Sequence, residues 1–304
     1  MQAPKDRGTV KPYSPFNGQA DAEVIRKAMK GFGTDEKAII DVLAHRNNAQ
    51  RQKITLDFKT MYGKDLIKEL KSELSGKFED VILALLMKPS DYDAMCIYNA
   101  IQGLGTDEGA LIEILCTRSN KQMLEIKQAY KTKCGGNVVV WLAWRLDIDA
   151  TLGELIMTYL QLALYEAGEK KWGTDESRFN AILAAQSFPQ VQRVCDEYQK
   201  LTGHAMEKAI SGEMSGDLKQ GMMTIVKCVR NRSAYFAERL YTSMKGLGTN
   251  DRQLVRVVVT RCEVDMVQIK QEFQRNYGKT LESFINDDTS GDYKRVLVAL
   301  VAGN

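Results

Sequence analysis

The chain has 304 residues, of which 44% are apolar and 27% are charged, and its 42 basic and 39 acidic side chains leave a formal charge of only +3. This length and apolar content suffice for a large packed core, and the composition excludes disordered and fibrous proteins. The nearly balanced charge gives little support to nucleic acid as the main partner, and two histidines, His45 and His204, leave little material for a catalytic triad or a histidine metal site.

The first sixteen residues predict a short tail rather than a domain. Met1 to Ser14 holds four charges and two prolines and lacks the apolar stretch of a secretory signal.

The chain as a whole shows no membrane-spanning segment, because no apolar run in the sequence approaches the ~20 residues that span a bilayer. The six cysteines are dispersed without a CxxC pair, which is typical of a reduced intracellular protein. We therefore expect a cytoplasmic protein that meets membranes only peripherally, with a short tail that docks on the rest of the chain or carries a modification.

Four segments further along share one glycine-rich pattern, which is the signature of a repeat architecture. They begin at residues 31, 103, 171 and 246. They read Gly31-Phe32-Gly33-Thr34-Asp35-Glu36, Gly103-Leu104-Gly105-Thr106-Asp107-Glu108, Lys171-Trp172-Gly173-Thr174-Asp175-Glu176 and Gly246-Leu247-Gly248-Thr249-Asn250-Asp251. Fifteen residues after each start stand Arg46, Arg118, Gln186 and Arg261.

Between these patterns the apolar residues recur at helical spacing, as in residues 24–29, 38–43 and 81–86. A threonine before Asp-Glu is a good helix N-cap, so each pattern predicts a turn that joins two helices. Strand signals are scarce, and the β-branched run 257–259 lies inside a helical pattern. We predict an all-α fold with four units of about five short helices each. The predicted divisions are a tail over 1–16 and repeats over 17–88, 89–160, 161–231 and 232–304.

A carboxylate follows three of the four patterns at a constant distance. Forty-two residues after the start stand Glu73, Glu213 and Asp288, each of which opens an acidic-x-Ser-Gly sequence. A Ca²⁺ ion takes about six to eight oxygens, which loop carbonyls, one bidentate carboxylate and water can supply. One Gly-x-Gly-Thr alone would indicate only a helix cap and a turn. Its repetition with a carboxylate at a fixed offset favours calcium sites.

From about residue 17 to the end, these motifs resemble the annexin family, which carries a fourfold repeat with Lys-Gly-x-Gly-Thr-Asp and a downstream acidic residue before Thr/Ser-Gly. The resemblance implies a curved disc with calcium loops on its convex face. It also implies that loop carbonyls and the downstream carboxylate hold Ca²⁺. The implied ligands are Met29, Gly31, Gly33 and Glu73 in repeat one, Gly168, Lys171, Gly173 and Glu213 in repeat three, and Met244, Gly246, Gly248 and Asp288 in repeat four. Glu36, Glu108 and Glu176 either add weaker sites or stabilise the helix dipole.

Repeat two departs from this pattern. Arg145 stands in place of the carboxylate, and residues 137–161 do not match the other repeats. We predict a divergent, shortened second half and no good calcium site there. A splice variant, a frame error and real divergence remain alternatives. An EF-hand from Asp147 onward fails, because Leu152 stands where glycine is required and Thr158 where glutamate is required.

The resemblance implies calcium-dependent binding to anionic phospholipid of the phosphatidylserine type, with the cation as a bridge to the lipid phosphate. Trp172, Phe32 and Leu247 share one loop position and are expected to contact the membrane, with a core position as the alternative for Trp172. Trp141 and Trp144 are expected in the core. Protein partners at the tail and self-association on membranes stay open.

Two charged pairs match residues that line a polar channel in annexins, namely Asp93 with Arg118 and Glu113 with Arg256. Structural ion pairs are favoured over ion conduction. No nucleophile has a plausible base in the sequence, so we expect no enzyme. The alternative function is an α-solenoid scaffold for protein partners, which would not need the three spaced carboxylates.

Overall fold

The structure is a computed structural model that describes residues 7–31, 33–102, 105–134 and 188–304. In these residues all regular structure is helical, and the predicted all-α class is confirmed. None of the described helices has both the length and the apolarity to cross a bilayer. The described helices are α1 Gly18–Ala28, α2 Glu36–Leu43, α3 Asn48–Tyr62, α4 Leu66–Glu73, α5 Gly76–Leu86, α6 Pro89–Ile101, α7 Glu108–Thr117, α8 Asn120–Cys134, α9 Phe188–Thr202, α10 Met206–Glu213, α11 Gly216–Met244, α12 Asp251–Arg261, α13 Met266–Tyr277, α14 Leu281–Asp288 and α15 Gly291–Ala302.

Repeats one and four each contain five helices, as the apolar spacing predicts. Repeat one comprises α1 to α5, and repeat four comprises the end of α11 followed by α12 to α15. Helix α11 has a non-helical residue at Asn231, so it is two helices joined at a kink. The side chain of Asn231 accepts a hydrogen bond from the Ala234 amide at 3.0 Å, which caps the second part. The predicted repeat boundaries stay predictions.

The chain forms two compact units, one of Met1–Tyr92 with Phe236–Asn304 and the other of Asp93–Tyr235. In the first unit α5 packs on α12 and α15, and α2 packs on α15. Helices α2 and α12 are equivalent in repeats one and four, and so are α5 and α15. The contacts are therefore reciprocal, as in an association with twofold symmetry. We call the approximate axis between these two repeats the unit-one axis.

Each unit has its own apolar core. In the first unit Leu43, Phe58 and Phe273 are among the fully buried side chains. In the second unit one cluster includes Val194, Tyr198 and Ile210, and another includes Ile97, Ile114 and Ile126. Burial of a Leu, Ile or Phe side chain contributes about 1.5–3 kcal/mol, so these clusters are the main source of stability.

The described part of the tail is fastened to the first unit by hydrogen bonds. The hydroxyl of Thr9 donates to the Leu300 carbonyl at 2.6 Å, and the Val10 amide donates to the Cys262 carbonyl at 3.0 Å. The Tyr13 amide donates to the side-chain oxygen of Gln50 at 2.9 Å. The tail therefore joins repeat four to repeat one. We call residues 7–13 the strap.

We expect Gly8→Ala to destabilise the protein by about 1–3 kcal/mol, because the strap lies against backbone that cannot yield to a new methyl group. A Cβ at this position would lie 2.6 Å from the Cys262 carbonyl oxygen. Thermal denaturation measures the effect. Gly212→Ala is the matched control, since open space surrounds Gly212 inside α10 and alanine favours a helix by about 0.5–1 kcal/mol. Equal melting temperatures for the two variants would show that the strap is not tightly packed.

Candidate functional site

The glycine loop of repeat one joins α1 to α2 in a conformation that requires glycine. Gly31 and Gly33 have φ angles of 116° and 86°, which are strained for any other residue. The Asp35 amide donates to the Ala28 carbonyl at 2.9 Å and closes the loop. Phe32 lies outside the described residues.

The glycine loop of repeat four has the same backbone. Gly246 and Gly248 have φ angles of 111° and 85°, and the Asn250 amide donates to the Ser243 carbonyl at 2.7 Å. In repeat two Gly105 has a φ of 92°, and Asp107 closes the loop as Asp35 does. The repeated sequence therefore builds one loop geometry wherever the structure describes it.

The prediction that threonine caps the following helix is wrong by one residue. Asp35 accepts from the Ala38 amide at 3.0 Å, Asp107 accepts from the Ala110 amide at 2.9 Å, and Asn250 takes the same role in repeat four. After the glycine turn the helix begins one residue later than expected, so the residue that follows the threonine takes the N-cap position. Since Asp and Asn are as good N-caps as threonine, the hydroxyl of the threonine is left for another partner.

That partner is the distant carboxylate. The hydroxyl of Thr34 donates to Glu73 at 3.5 Å, and the hydroxyl of Thr249 donates to Asp288 Oδ2 at 2.5 Å. The offset of 42 residues had indicated that loop and carboxylate belong together, and the structure places them side by side in repeats one and four. Sequence reasoning missed the threonine. The sequence does carry a signal for this role, because a threonine stands at the same position in every copy of the pattern.

The other predicted ligands have different positions. The side chains of Met29 and Met244 are buried, so only their backbone carbonyls can serve a metal. Glu213 ends α10, and its side chain lies outside what the structure describes. Glu36 and Glu108 are the first residues of α2 and α7, where a negative charge stabilises the helix dipole. Gly168, Lys171, Gly173, Glu176 and Trp172 lie outside the described residues, as do Arg145, Trp141, Trp144 and the segment 137–161.

The oxygens gathered at these loops suit calcium. In repeats one and four each loop has one carboxylate and one threonine hydroxyl beside its backbone, and carboxylate, hydroxyl and carbonyl oxygens are the hard donors that Ca²⁺ takes. Within the described ranges there is no group of three or more His, Cys, Asp or Glu side chains that could hold a metal. A cation at these loops would therefore depend on carbonyl oxygens, as the left-handed glycines allow.

The first comparison with known proteins concerns the repeats. A family model described as Annexin matches residues 20–85, 92–137, 162–225 and 235–300. The chain belongs to the annexin family. Its second match ends at residue 137, and the predicted divergence after that point stays a prediction.

Annexins from several animals resemble this annexin over almost its whole length. Annexin A11 of Oryctolagus cuniculus is 49% identical over 98% of this chain but only 63% of its own length. Human annexin A4 is 47% identical over 98% of both chains. This annexin thus spans less than two thirds of the length of annexin A11 and nearly all of annexin A4.

Solved annexin structures share the fold. Annexin III has a TM-score of 0.93 at 40% identity and covers 99% of this chain and 98% of its own. Chicken annexin V in complex with Zn²⁺ has a TM-score of 0.88 at 44% identity, covering 99% and 100%. Calcium-bound annexin (Sm)1 has a TM-score of 0.84 at 32% identity, covering 97% and 93%.

The predicted pair of Asp93 and Arg118 is present in this annexin. Arg118 is 2% exposed and binds the Asp93 carboxylate through two nitrogens, at 2.7 and 2.8 Å. Burial opposes the charge of Arg118, but the Asp93 carboxylate holds the pKa of the guanidinium above its usual value. In repeat one Arg46 binds Asp21 with the same spacing and the same two distances.

In repeat four the arginine also has a carboxylate partner, but a different one, and it gains an aromatic contact. Arg261 lies over the Phe236 ring, which takes the position of Asp21 and Asp93, and its Nε donates to Asp265 at 2.7 Å. The arginine thus keeps its place in three repeats while its partner changes. These contacts favour a structural role for the pairs.

The second predicted pair, Glu113 with Arg256, falls in different compact units. Both residues are buried, at 0% and 3% exposure. Their pairing stays a prediction.

Two cysteines of this annexin are poor nucleophiles. Burial raises the pKa of both Cys195 and Cys262 to about 12. Since the thiolate is the reactive form, these thiols are inert at neutral pH.

Proposed function

We propose that this annexin binds anionic phospholipid membranes in a calcium-dependent and non-enzymatic manner, attaching peripherally from the cytoplasm. The observation that carries the proposal is the contact of Glu73 and Asp288 with the threonines of their glycine loops. The calcium in the solved structure of annexin (Sm)1 and the family membership support it.

We propose the calcium ligands that the resemblance to annexins implies. The positive φ angles of the loop glycines, and the hydrogen bonds from Thr34 to Glu73 and from Thr249 to Asp288, support the sets in repeats one and four. The proposed sets are the carbonyls of Met29, Gly31 and Gly33 with Glu73, and those of Met244, Gly246 and Gly248 with Asp288. In repeat three the proposed set is Gly168, Lys171, Gly173 and Glu213.

Such a site would couple calcium to lipid. One carboxylate does not neutralise Ca²⁺, so the site keeps a positive charge that an anionic lipid phosphate can meet. A site with so few charged ligands binds weakly by itself, toward a dissociation constant of about 10⁻⁴ M. Several weak sites on one chain then act together as a stronger one.

Co-sedimentation with vesicles of phosphatidylserine and phosphatidylcholine tests the proposal. We expect the protein in the pellet with calcium and in the supernatant with EGTA, and vesicles of phosphatidylcholine alone serve as the control. Binding that ignores calcium, or no binding at all, would contradict the proposal and favour the protein-interaction scaffold.

We expect Leu247→Ser to weaken vesicle binding about tenfold or more without loss of folding. Leu247 stands between the two glycines of its loop, and its side chain is fully exposed at 109%. It therefore contributes nothing to the core, whereas burial of a leucine in lipid is worth about 1.5–3 kcal/mol. Vesicle titration at fixed calcium measures the change, and Leu201→Ser, at a leucine 61% exposed, is the control. Unchanged affinity would exclude Leu247 from the membrane contact.

A further inference from the structure

Two tyrosine rings of repeat four lie in a parallel stack. Tyr241 of α11 and Tyr277, the last residue of α13, have ring centroids 3.9 Å apart and planes that differ by 3°. Aromatic pairs in proteins usually have centroids about 4.5–7 Å apart. The other aromatic pairs of the described residues are tilted or T-shaped, such as Tyr98 with Tyr130 at 6.3 Å and 56°. The stack therefore differs from them in both distance and angle.

Two phenylalanine rings hold the stack in place. The centroid of Phe273, which is buried, lies 5.1 Å from that of Tyr277 and 6.4 Å from that of Tyr241. The centroid of Phe284 lies 5.6 Å from that of Tyr241. Both tyrosines themselves are only half-buried, so a small molecule in solution can reach them.

The equivalent positions of the other described repeats do not hold two tyrosines. The loop offsets of 72 and 215 residues relate the pair to Arg26 and Tyr62 in repeat one, and to Tyr98 and Cys134 in repeat two. In repeat one the guanidinium carbon of Arg26 lies 5.8 Å from the centroid of the Tyr62 ring. Packing at this place therefore does not require two phenols.

The charges around the stack favour the oxidation of Tyr277 before Tyr241. Burial, and then the negative charge of Glu238, raises the pKa of Tyr277, so the phenol is protonated at neutral pH. The same carboxylate charge favours the removal of an electron from this ring, because it stabilises the positive charge that results. Lys245 Nζ lies 5.4 Å from the centroid of the Tyr241 ring, and its positive charge opposes oxidation there.

We propose that Tyr241 and Tyr277 are a modification site at which a diffusible one-electron oxidant forms a dityrosine cross-link. Each phenol gives one electron to the oxidant and its hydroxyl proton to water, which leaves two phenoxyl radicals. A carbon–carbon bond then forms between ring carbons next to the two oxygens, and the hydrogens of those carbons move through solvent to the oxygens. The net loss is two electrons and two protons.

The stack suits this reaction because the new bond forms between the faces of two rings that are already in contact. The product joins α11 to α13 covalently. The inference goes beyond the proposed calcium and lipid function and does not depend on it.

Photo-oxidation of the dilute, calcium-free protein with ruthenium tris-bipyridine and persulfate tests the proposal. The ruthenium complex removes one electron at a time, and each persulfate takes up two electrons to become two sulfates. Trypsin cleaves after lysine and arginine, which places the two tyrosines in peptides 240–245 and 276–279. We expect the monomeric protein to yield these two peptides linked, with a mass two hydrogens below their sum. This link should be at least about threefold more abundant than one between Tyr98 and Tyr130.

Phenylalanine variants assign the link to the stacked pair, since each keeps the ring and removes the phenol. Tyr241→Phe and Tyr277→Phe should each lower the dityrosine fluorescence of the monomer by more than about half, whereas Tyr98→Phe, the control, should lower it by less than about a fifth. The linked protein should also unfold at a higher urea concentration than the unlinked protein, because a cross-link between residues 241 and 277 constrains the unfolded chain.

The peptide map of the unaltered protein decides the question without any variant. A concentrated sample, in which separate chains become cross-linked, shows that the oxidant is active. Absence of the 241–277 link from the dilute protein at the same exposure, or an equal yield of the link between residues 98 and 130, would overturn the proposal.

Discussion

Replacement of Glu73 by Gln and Asp288 by Asn in one variant is expected to raise the calcium concentration for half-maximal vesicle binding about tenfold or more. Each change removes the carboxylate that the structure places beside a glycine loop, and leaves a neutral side chain of the same size. A neutral amide is a weaker ligand for Ca²⁺ than a carboxylate. Because the loops act together, loss of two sites reduces the combined affinity more than either loss alone.

The measurement is vesicle co-sedimentation over a calcium series. Asp41→Asn with Asp287→Asn is the matched control, since both carboxylates are more than half exposed, at 54% and 64%, and Asp287 is the immediate neighbour of Asp288. The control should bind as the unaltered protein does. Addition of Glu213→Gln should weaken binding further if repeat three has a site. Equal calcium curves for the test and control variants would refute the assignment of Glu73 and Asp288 as ligands.

Arg118→Met is expected to destabilise the protein by about 3–5 kcal/mol, the usual range when one partner of a buried ion pair is removed. Arg118 is 2% exposed, and its loss would leave the Asp93 carboxylate buried without its partner. Urea denaturation measures the change in the free energy of unfolding.

Two further variants distinguish the pair from a general loss of packing. Asp93→Leu with Arg118→Met removes both charges, and it should restore most of the lost stability, because a buried apolar pair is often as stable as an ion pair. Lys200→Ala breaks an exposed pair with Glu197 in the same compact unit and should cost about 0–1 kcal/mol. A loss below 1 kcal/mol for Arg118→Met would show that the pair is not important for stability.

The loop sites were largely predictable because each loop is determined by a short stretch of sequence, and that stretch recurs four times. Four copies of one pattern indicated the turns, and the constant offset indicated that Glu73 and Asp288 accompany them. The helix caps were less predictable, because Thr34 and Asp35 are both good N-caps and only the glycine turn decides between them. Because Asp35 caps the helix, the hydroxyl of Thr34 donates to the Glu73 carboxylate instead.

Contacts between repeats could not be predicted from one sequence. Lys77 and Asp251 are 174 residues apart, and nothing in the pattern of either repeat indicates that they meet. The partners of Arg261 were likewise hidden, because Phe236 takes the position of Asp21 and Asp93 and contributes a cation–π contact, while the ion pair moves to Asp265. The docking of the tail was an expectation from the sequence, but its partners were not, since its hydrogen bonds involve carbonyls of residues 262 and 300, far along the chain.

The reciprocal packing of repeats one and four has a consequence for the order of folding. Residues 93–235 form a compact unit from one continuous stretch, whereas the other unit needs both ends of the chain. Contacts across so large a sequence separation form slowly, because a long loop must close first. During synthesis the middle of the chain therefore emerges complete while the first repeat still lacks its partner. The face of α5 that packs on α12 and α15 stays exposed until those two helices, which follow residue 235, have been made.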